Sequence, residues 1–238
     1  IFFGHHAGLA GMVDTLWVFG RRLEAEGITN PFSELKQMAE YDGLEEAKAA
    51  VSAVGQRIAQ QGLPQSIAPL ICGFAGYGNV FGGANEIIEL LPVEEIAPDH
   101  VADVARQSGA RDVIYKVVFR EEDTVEPISP GDEFELQDYY DHPEKYRSKF
   151  DTYLPHLTLL VNCVYWEEKY PRLVTKESLR ELYRGTRQPR LRVIGDASCD
   201  IEGAIEATVK CTEPGNPVYV YDPFEDRAID GVAGRGPV

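Results

Sequence analysis

The chain has 238 residues, of which 44% are hydrophobic, so it can bury a sizeable core and is not expected to be disordered. Its formal net charge of −16 argues against nucleic acid and anionic membranes as partners, because both select for Lys and Arg. No apolar stretch approaches the length that a membrane-spanning helix needs.

Helices and strands alternate along the predicted elements. Apolar residues at helical spacing, or suitable caps, predict helices at 7–26, 43–61 and 99–107, after the glycines near residue 78, and after Thr175. Apolar and β-branched runs predict strands at 67–72, 93–96, 113–119, 157–164, 191–195 and 218–221. This alternation favours an α/β fold with one doubly wound, mostly parallel sheet and helices on both faces.

Two features lie outside this alternation. The stretch 120–142 is rich in Asp and Glu and contains two prolines, which predicts an acidic loop or insertion rather than a metal site. The four cysteines form no CxxC pair, and at least Cys72 and Cys163 fall in apolar runs. Buried free thiols in a reducing compartment are therefore expected, which means the cytoplasm, or the mitochondrion in an animal. No metal site is predicted.

A glycine-rich turn follows the first strand. Gly76 and Gly78 occupy the first two glycine positions of a dinucleotide-binding turn, and Gly82 occupies the third, one residue later than the commonest spacing. Glycines let phosphate oxygens approach the backbone, and the helix that follows offers free N–H groups. We therefore predict a Rossmann-like domain in which Gly76, Tyr77, Gly78, Asn79 and Val80 bind the cofactor. The alternative is a tight turn that binds nothing.

Polar residues follow three predicted strands, at the sheet edge where ligands of α/β proteins bind. Asn162 is expected to contact the cofactor, and Asp196 and Asp200 are the candidate catalytic residues. Either aspartate could instead cap a following helix. Asp99 lies 21 residues after Gly78, where an acid would bind the adenosine ribose and favour NAD(H), but it could also cap the helix at 99–107.

Several short motifs occur in a recognisable order along the chain: Gly8-Leu-Ala-Gly11-Met12, Gly20-Arg-Arg-Leu23, Gly62-Leu-Pro64, Gly76-Tyr-Gly78-Asn79-Val80, His142-Pro-Glu-Lys-Tyr146, Asn162-Cys-Val-Tyr-Trp166, Pro171-Arg-Leu173 and Asp196-x-x-x-Asp200-x-x-Gly203. Together they resemble lysine–2-oxoglutarate reductase, the saccharopine-forming half of the bifunctional aminoadipic semialdehyde synthases. The wider superfamily includes alanine dehydrogenase and the transhydrogenase nucleotide-binding domains. One departure is Glu202, which stands where the family often has a second glycine.

The resemblance implies an NAD(P)-dependent oxidoreductase of lysine metabolism, acting on a CH–NH bond as saccharopine dehydrogenases do. A reduced nicotinamide delivers hydride to the imine of lysine and 2-oxoglutarate, giving saccharopine. Reductases of this type generally use NADPH, so NADP(H) is favoured over NAD(H). A homo-oligomer is left open.

The resemblance also implies how the domains are arranged. In that family the dinucleotide domain is inserted into a substrate domain, and residues 1–238 resemble the inserted domain, with 1–30 as a leading inter-domain helix. We therefore expect a fragment of a longer polypeptide that is inactive in isolation, with the substrate domain elsewhere. The alternatives are an alanine dehydrogenase-like amino-acid dehydrogenase domain and a non-catalytic nucleotide-sensing module.

Overall fold

The computed structural model describes residues 3–107, 109–186, 188–213 and 215–238. Its helices are α1 (Gly4–Ala25), α2 (Leu44–Gln61), α3 (Asn79–Ile88), α4 (Val101–Arg106), α5 (Glu121–Thr124), α6 (Leu136–Asp141) and α7 (Lys176–Gly185). Its strands are β1 (Leu70–Ala75), β2 (Val93–Glu95), β3 (Ile114–Phe119), β4 (Val125–Pro127), β5 (Tyr146–Ser148), β6 (Leu159–Asn162), β7 (Val193–Asp196), β8 (Tyr219–Asp222) and β9 (Arg227–Asp230). Short 3₁₀ helices lie at Pro31–Glu34, Met38–Glu40, Gln65–Ile67, Pro98–His100, Pro143–Lys145 and Phe150–Thr152.

Five strands form one parallel sheet in the order β2-β3-β1-β6-β7. Helices cover both faces, so the predicted Rossmann-like doubly wound fold is confirmed. The central strand β1 is buried along its whole length, as expected for a strand that is covered on both faces. Its neighbour on one side is β3, and its neighbour on the other side is β6.

The two faces of the sheet contribute to separate hydrophobic clusters. Leu70, Cys72 and Phe74 point to one face, where they pack with α1, α2 and α3. Ile71 and Ala75 point to the other face, where they pack with residues of α4, α7 and the segment 150–157. This alternation follows from the two-residue period of a strand. Consequently α3 leaves the end of β1 on one face, and the segments after β3 and β6 return on the opposite face.

Helices α1 and α3 cross with their backbones in close contact. A Cβ atom added to Gly8 would overlap the carbonyl oxygen of Val80, and one added to Gly83 would overlap the carbonyl oxygen of His5. Gly82, which we predicted as the third glycine of the turn, has only the His5 ring 3.6 Å from its Cβ position. The glycine of α3 that permits close packing is therefore Gly83, and its neighbour is the backbone of helix α1.

Two predicted regions differ from the structure. The run 218–221 is a strand, but β8 pairs antiparallel with β9 in a separate hairpin and not with the parallel sheet. The acidic stretch 120–142 contains α5, β4 and α6, and β4 pairs with β5. Its core consists of aromatic and aliphatic side chains, namely Val125, Phe134, Tyr139, Tyr146 and Tyr170.

Candidate functional site

The turn after β1 has the geometry that its glycines predict. Gly76 has φ +91°, a conformation that residues with a Cβ rarely adopt, and its N–H donates to the Phe119 carbonyl at 3.0 Å. A Cβ at Gly76 would lie 3.1 Å from the carbonyl oxygen of Cys163. The turn is thus held between the carboxyl ends of β3 and β6.

The N-terminus of α3 is exposed to solvent beyond this turn. Gly78 is the N-cap residue and provides no side-chain cap, and Asn79 begins the helix with its side chain exposed. No atom of the described residues lies within 4 Å of the Cβ position of Gly78, so these residues leave that side of the backbone unobstructed. The first N–H groups of a helix have no partner within the helix. An anion can therefore approach them at this point, which is what a pyrophosphate site requires.

The other predicted turn residues have different positions. The carbonyl of Val80 packs against Gly8 of α1, so its backbone faces the protein interior. The side chain of Tyr77 is exposed, and its hydroxyl donates to Glu121 at 3.1 Å. Tyr77, like Asn79, therefore has its side chain on the open surface.

The end of β1 is a topological switch point. The chain turns from β1 to α3 on one face of the sheet, while the segments after β3 and β6 return on the other face. Ligands of open α/β sheets bind in the crevice that such opposed connections create. The crevice at the glycine turn therefore has one wall at the end of β3 and another at the ends of β6 and β7.

On the β6 side, Asn162 and Asp196 form a hydrogen-bonded pair. The Asn162 amide is fully buried and donates to Asp196 Oδ1 at 2.9 Å, and its oxygen accepts from the Val164 N–H at 3.3 Å. Asp196 also accepts from the Ser198 hydroxyl at 2.8 Å and from the Thr208 hydroxyl at 2.6 Å. Both side chains are thus committed to partners that fix the loop after β7.

Residues 197–213, the described part of that loop that follows β7, contain no helix, so the alternative in which Asp196 or Asp200 caps a following helix is wrong. The chain instead turns at Asp200, whose carbonyl accepts from the Gly203 N–H at 2.9 Å. The Asp200 side chain is exposed. Glu202 has φ +52°, a conformation that favours glycine, which is consistent with the second glycine that the family resemblance leads us to expect there.

On the β3 side, four residues form a cluster that the sequence analysis did not identify. Glu121 accepts hydrogen bonds from Tyr77 at 3.1 Å and from Tyr140 at 2.7 Å. The Arg120 guanidinium stacks on the Tyr77 ring, 4.9 Å from its centroid. Partial desolvation of its hydroxyl raises the pKa of Tyr77, and the hydrogen bond to Glu121 raises it further, so this hydroxyl stays protonated at neutral pH. The signal in the sequence was an Arg placed directly after a strand.

Asp99 lies away from this cluster. It is an exposed residue of the 3₁₀ helix Pro98–His100, beyond β2 at the edge of the sheet. Neither that helix nor α4 has a side-chain N-cap hydrogen bond, so the alternative of Asp99 as a cap is wrong. Since β3 lies between β2 and β1, Asp99 is two strands from the glycine turn.

A cavity of about 260 Å³ lies on the α1 side of β7, between α1 and residues of the segments 205–212 and 217–221. Asp14, Asp196, Lys210 and Tyr219 are among its lining residues, and the glycine turn is not. Within the described ranges, no group of three or more His, Cys, Asp or Glu side chains could hold a metal ion. No helix in those ranges is long and apolar enough to cross a bilayer.

The fold and the turn define the class of this chain, a Rossmann-like α/β domain with a glycine turn at its switch point. The chain is homologous to part of the α-aminoadipic semialdehyde synthases. It is 36% identical to the enzyme of that name from Arabidopsis thaliana, over 98% of this chain and 23% of the relative. The mitochondrial α-aminoadipic semialdehyde synthases of Bos taurus and Rattus norvegicus are 33% and 32% identical, over 98% of this chain and 26% of each relative.

The predicted resemblance to these bifunctional enzymes is therefore confirmed, and the match is consistent with their lysine–2-oxoglutarate reductase half. The chain spans about a quarter of the length of the curated relatives it matches. No protein-family model matches the chain.

Proposed function

We propose that the chain is the NADP(H)-binding domain of an oxidoreductase of lysine metabolism that forms saccharopine from lysine and 2-oxoglutarate. The homology to α-aminoadipic semialdehyde synthases supports the pathway and the oxidoreductase class. Because the chain spans about a quarter of those relatives, the proposal for this chain by itself is cofactor binding.

One observation carries the cofactor proposal, namely the unobstructed backbone at Gly78 directly before α3. The pyrophosphate would rest on the first N–H groups of α3, where the helix dipole stabilises negative charge. The close contact of Gly76 with Cys163 would keep the turn rigid, so that little ordering is needed on binding. A net charge of −16 otherwise disfavours a polyanionic ligand, so the binding energy must come from such local groups.

The residues beyond β6 and β7 would serve the nicotinamide half. A bound NADPH would supply the hydride that reduces the imine carbon. Asn162 and Asp196 would hold the wall of the crevice in place through their hydrogen bonds, which positions the cofactor against the substrate. The exposed carboxylate of Asp200 is in that loop and could face a substrate ammonium group. In this proposal Asp196 positions the loop and Asp200 is the candidate for substrate contact.

The variant Gly78→Val tests the cofactor proposal. Its side chain has room in the free protein, so folding should be preserved, but it would occupy the space that the pyrophosphate needs. Gly185→Val is a matched control, because Gly185 ends α7 and its Cβ position likewise has no atom of the described residues within 4 Å. We expect calorimetry to give a dissociation constant for NADPH that is raised at least about tenfold in the first variant and unchanged in the control. Equal affinity in both variants would refute the proposal.

A further inference from the structure

We propose that Arg120 binds the 2′-phosphate of NADP(H) at the carboxyl end of β3 and thereby selects NADP(H) over NAD(H). This inference rests on the proposed function, because it assumes that the pyrophosphate lies on the glycine turn. It assigns the selective contact to a residue that the spacing of the sequence did not indicate, and it moves that contact away from Asp99.

The strand order determines where the adenosine half must lie. In dinucleotide-binding sheets the ribose of adenosine contacts the residue that ends the strand beside β1, within the first half of the sheet. Spacing along the chain assigns that position to the end of β2 and hence to Asp99. In this sheet the strand beside β1 is β3, and β2 is beyond it at the edge. The residue directly after β3 is Arg120.

Arg120 also lies beside the turn itself. Its guanidinium is 4.9 Å from the ring centroid of Tyr77, and Tyr77 separates Gly76 from Gly78. Arg120 is exposed, and within the described residues it has no ion-pair partner within 4.0 Å. A planar guanidinium that is held by stacking and makes no direct ion pair can bind a phosphate through two N–H groups.

The neighbouring acids could favour the opposite specificity, since a carboxylate here would bind the ribose hydroxyls of NAD(H). Glu121 is occupied, because its two oxygens accept the hydroxyls of Tyr77 and Tyr140. Asp123 accepts the backbone N–H of Arg120 at 2.8 Å and so fixes the start of α5. Glu122 is exposed. The two acids nearest to Arg120 in these contacts are thus engaged with protein donors, which leaves the guanidinium as the group available to a ligand.

The test compares NADPH and NADH binding by calorimetry in the unmodified chain and in four variants. We expect Arg120→Gln to weaken NADPH binding by about tenfold to a hundredfold, the range for a lost charge-assisted hydrogen bond, and to change NADH binding by less than about twofold. Arg120→Lys should lose less, because it keeps the charge but not the bidentate geometry. Arg106→Gln, which removes an exposed cation from the last residue of α4, should change neither affinity. Glu121→Gln tests the opposite assignment, in which Glu121 binds the ribose hydroxyls of NADH.

The outcomes separate this inference from the proposed function. If the unmodified chain binds neither dinucleotide, the proposed function fails and this inference fails with it. If the chain binds dinucleotide but Arg120→Gln weakens NADPH and NADH equally, or weakens neither, the proposed function stands and Arg120 is not the selective residue. Tighter binding of NADH that is lost in Glu121→Gln would overturn the inference and make Glu121 the ribose ligand. Thermal unfolding of each variant verifies that the substitution leaves the fold intact.

Discussion

Gly83 of α3 lies directly against the backbone carbonyl of His5 in α1, with no space for a methyl group between them. The turn that carries Gly76 and Gly78 leads into α3, so this contact fixes the direction in which the N-terminus of α3 points. The contact involves backbone on both sides and cannot be relieved by moving a side chain. The crossing of α1 and α3 is therefore a structural requirement of the candidate site.

The first prediction concerns this crossing. Gly83→Ala should lower the free energy of unfolding by about 2 kcal/mol or more, because the added methyl overpacks a backbone contact. Gly82→Ala is the control, since its nearest neighbour would be 3.6 Å away, and it should stabilise the chain by up to about 1 kcal/mol through helix propensity. Urea unfolding of both variants measures the difference. Similar stabilities would show that the two helices do not pack as described.

The second prediction concerns thiol reactivity. Cys72 and Cys163 are buried, whereas Cys199 and Cys211 are exposed. Burial raises the pKa of the Cys72 thiol, and burial together with the nearby Asp196 raises the pKa of Cys163 to about 12. Thiolate is the reactive form, so neither buried thiol should react at pH 8. A chromogenic disulfide reagent should titrate two thiols in the native chain and four after denaturation. Of the two native equivalents, Cys199 should react more slowly than Cys211, because desolvation and the nearby Asp196 also raise its pKa. Four rapid equivalents in the native chain would contradict the burial.

The third prediction concerns Asp14 on α1. Burial raises the pKa of this carboxyl, although its hydrogen bond from the Met38 N–H at 2.6 Å opposes the shift. The folded state therefore binds the proton more tightly than the unfolded chain does, and ionised Asp14 costs stability at neutral pH. Asp14→Asn keeps the acceptor and removes this cost, so it should stabilise the chain by up to about 1 kcal/mol at pH 7.

The pH dependence is the signature of that effect. The gain should shrink as the pH falls through the folded pKa of Asp14 toward its ordinary value of 3.8, because the unmodified carboxyl is then neutral as well. Unfolding in urea at pH 7 and at pH 4 measures it. Asp132→Asn, at an exposed carboxyl, is the control and should change stability by less than about 0.5 kcal/mol at either pH. A loss of stability at pH 7 in Asp14→Asn would contradict the assignment.

Local patterns predicted the elements well, because periodicity and caps act over a few residues. The helix predicted at 43–61 is α2 with its first residue moved to Leu44, and the predicted cap Thr175 accepts from the Ser178 N–H at 3.0 Å. The strand predicted at 67–72 is displaced to Leu70–Ala75. Its last residues include Gly73 and Ala75, which have low intrinsic strand propensity, but their small size suits the buried centre of the sheet.

Nonlocal features were not predictable from the same patterns. The order of β2 and β3 relative to β1 depends on which strands pair across the sheet, and no residue spacing encodes it. For this reason spacing along the chain points to Asp99 after β2, whereas it gives no signal for Arg120, which follows the strand that lies beside β1. The close-packing role of Gly83 likewise depends on α1, which is far from it in sequence. The loop after β7 resembles a helix start because Asp and Ser favour both N-caps and turns.

The last prediction separates the two aspartates of that loop. Asp196 accepts hydrogen bonds from Asn162, Ser198 and Thr208. Asp196→Ala would therefore leave the hydroxyls of Ser198 and Thr208 without this acceptor, and would leave the buried Asn162 amide with only its longer contact to the Ser198 hydroxyl at 3.4 Å. We expect it to lower the free energy of unfolding by about 2 to 4 kcal/mol. Asp200 is exposed, so Asp200→Ala should change the free energy of unfolding by less than about 0.5 kcal/mol.

Because the Asp196 network fixes one wall of the crevice, Asp196→Ala should also weaken NADPH binding. Asp196→Asn should recover part of both losses, because it keeps one hydrogen-bond acceptor. Urea unfolding and calorimetry measure the two effects, and equal stabilities of Asp196→Ala and Asp200→Ala would show that the Asp196 network does not hold the loop.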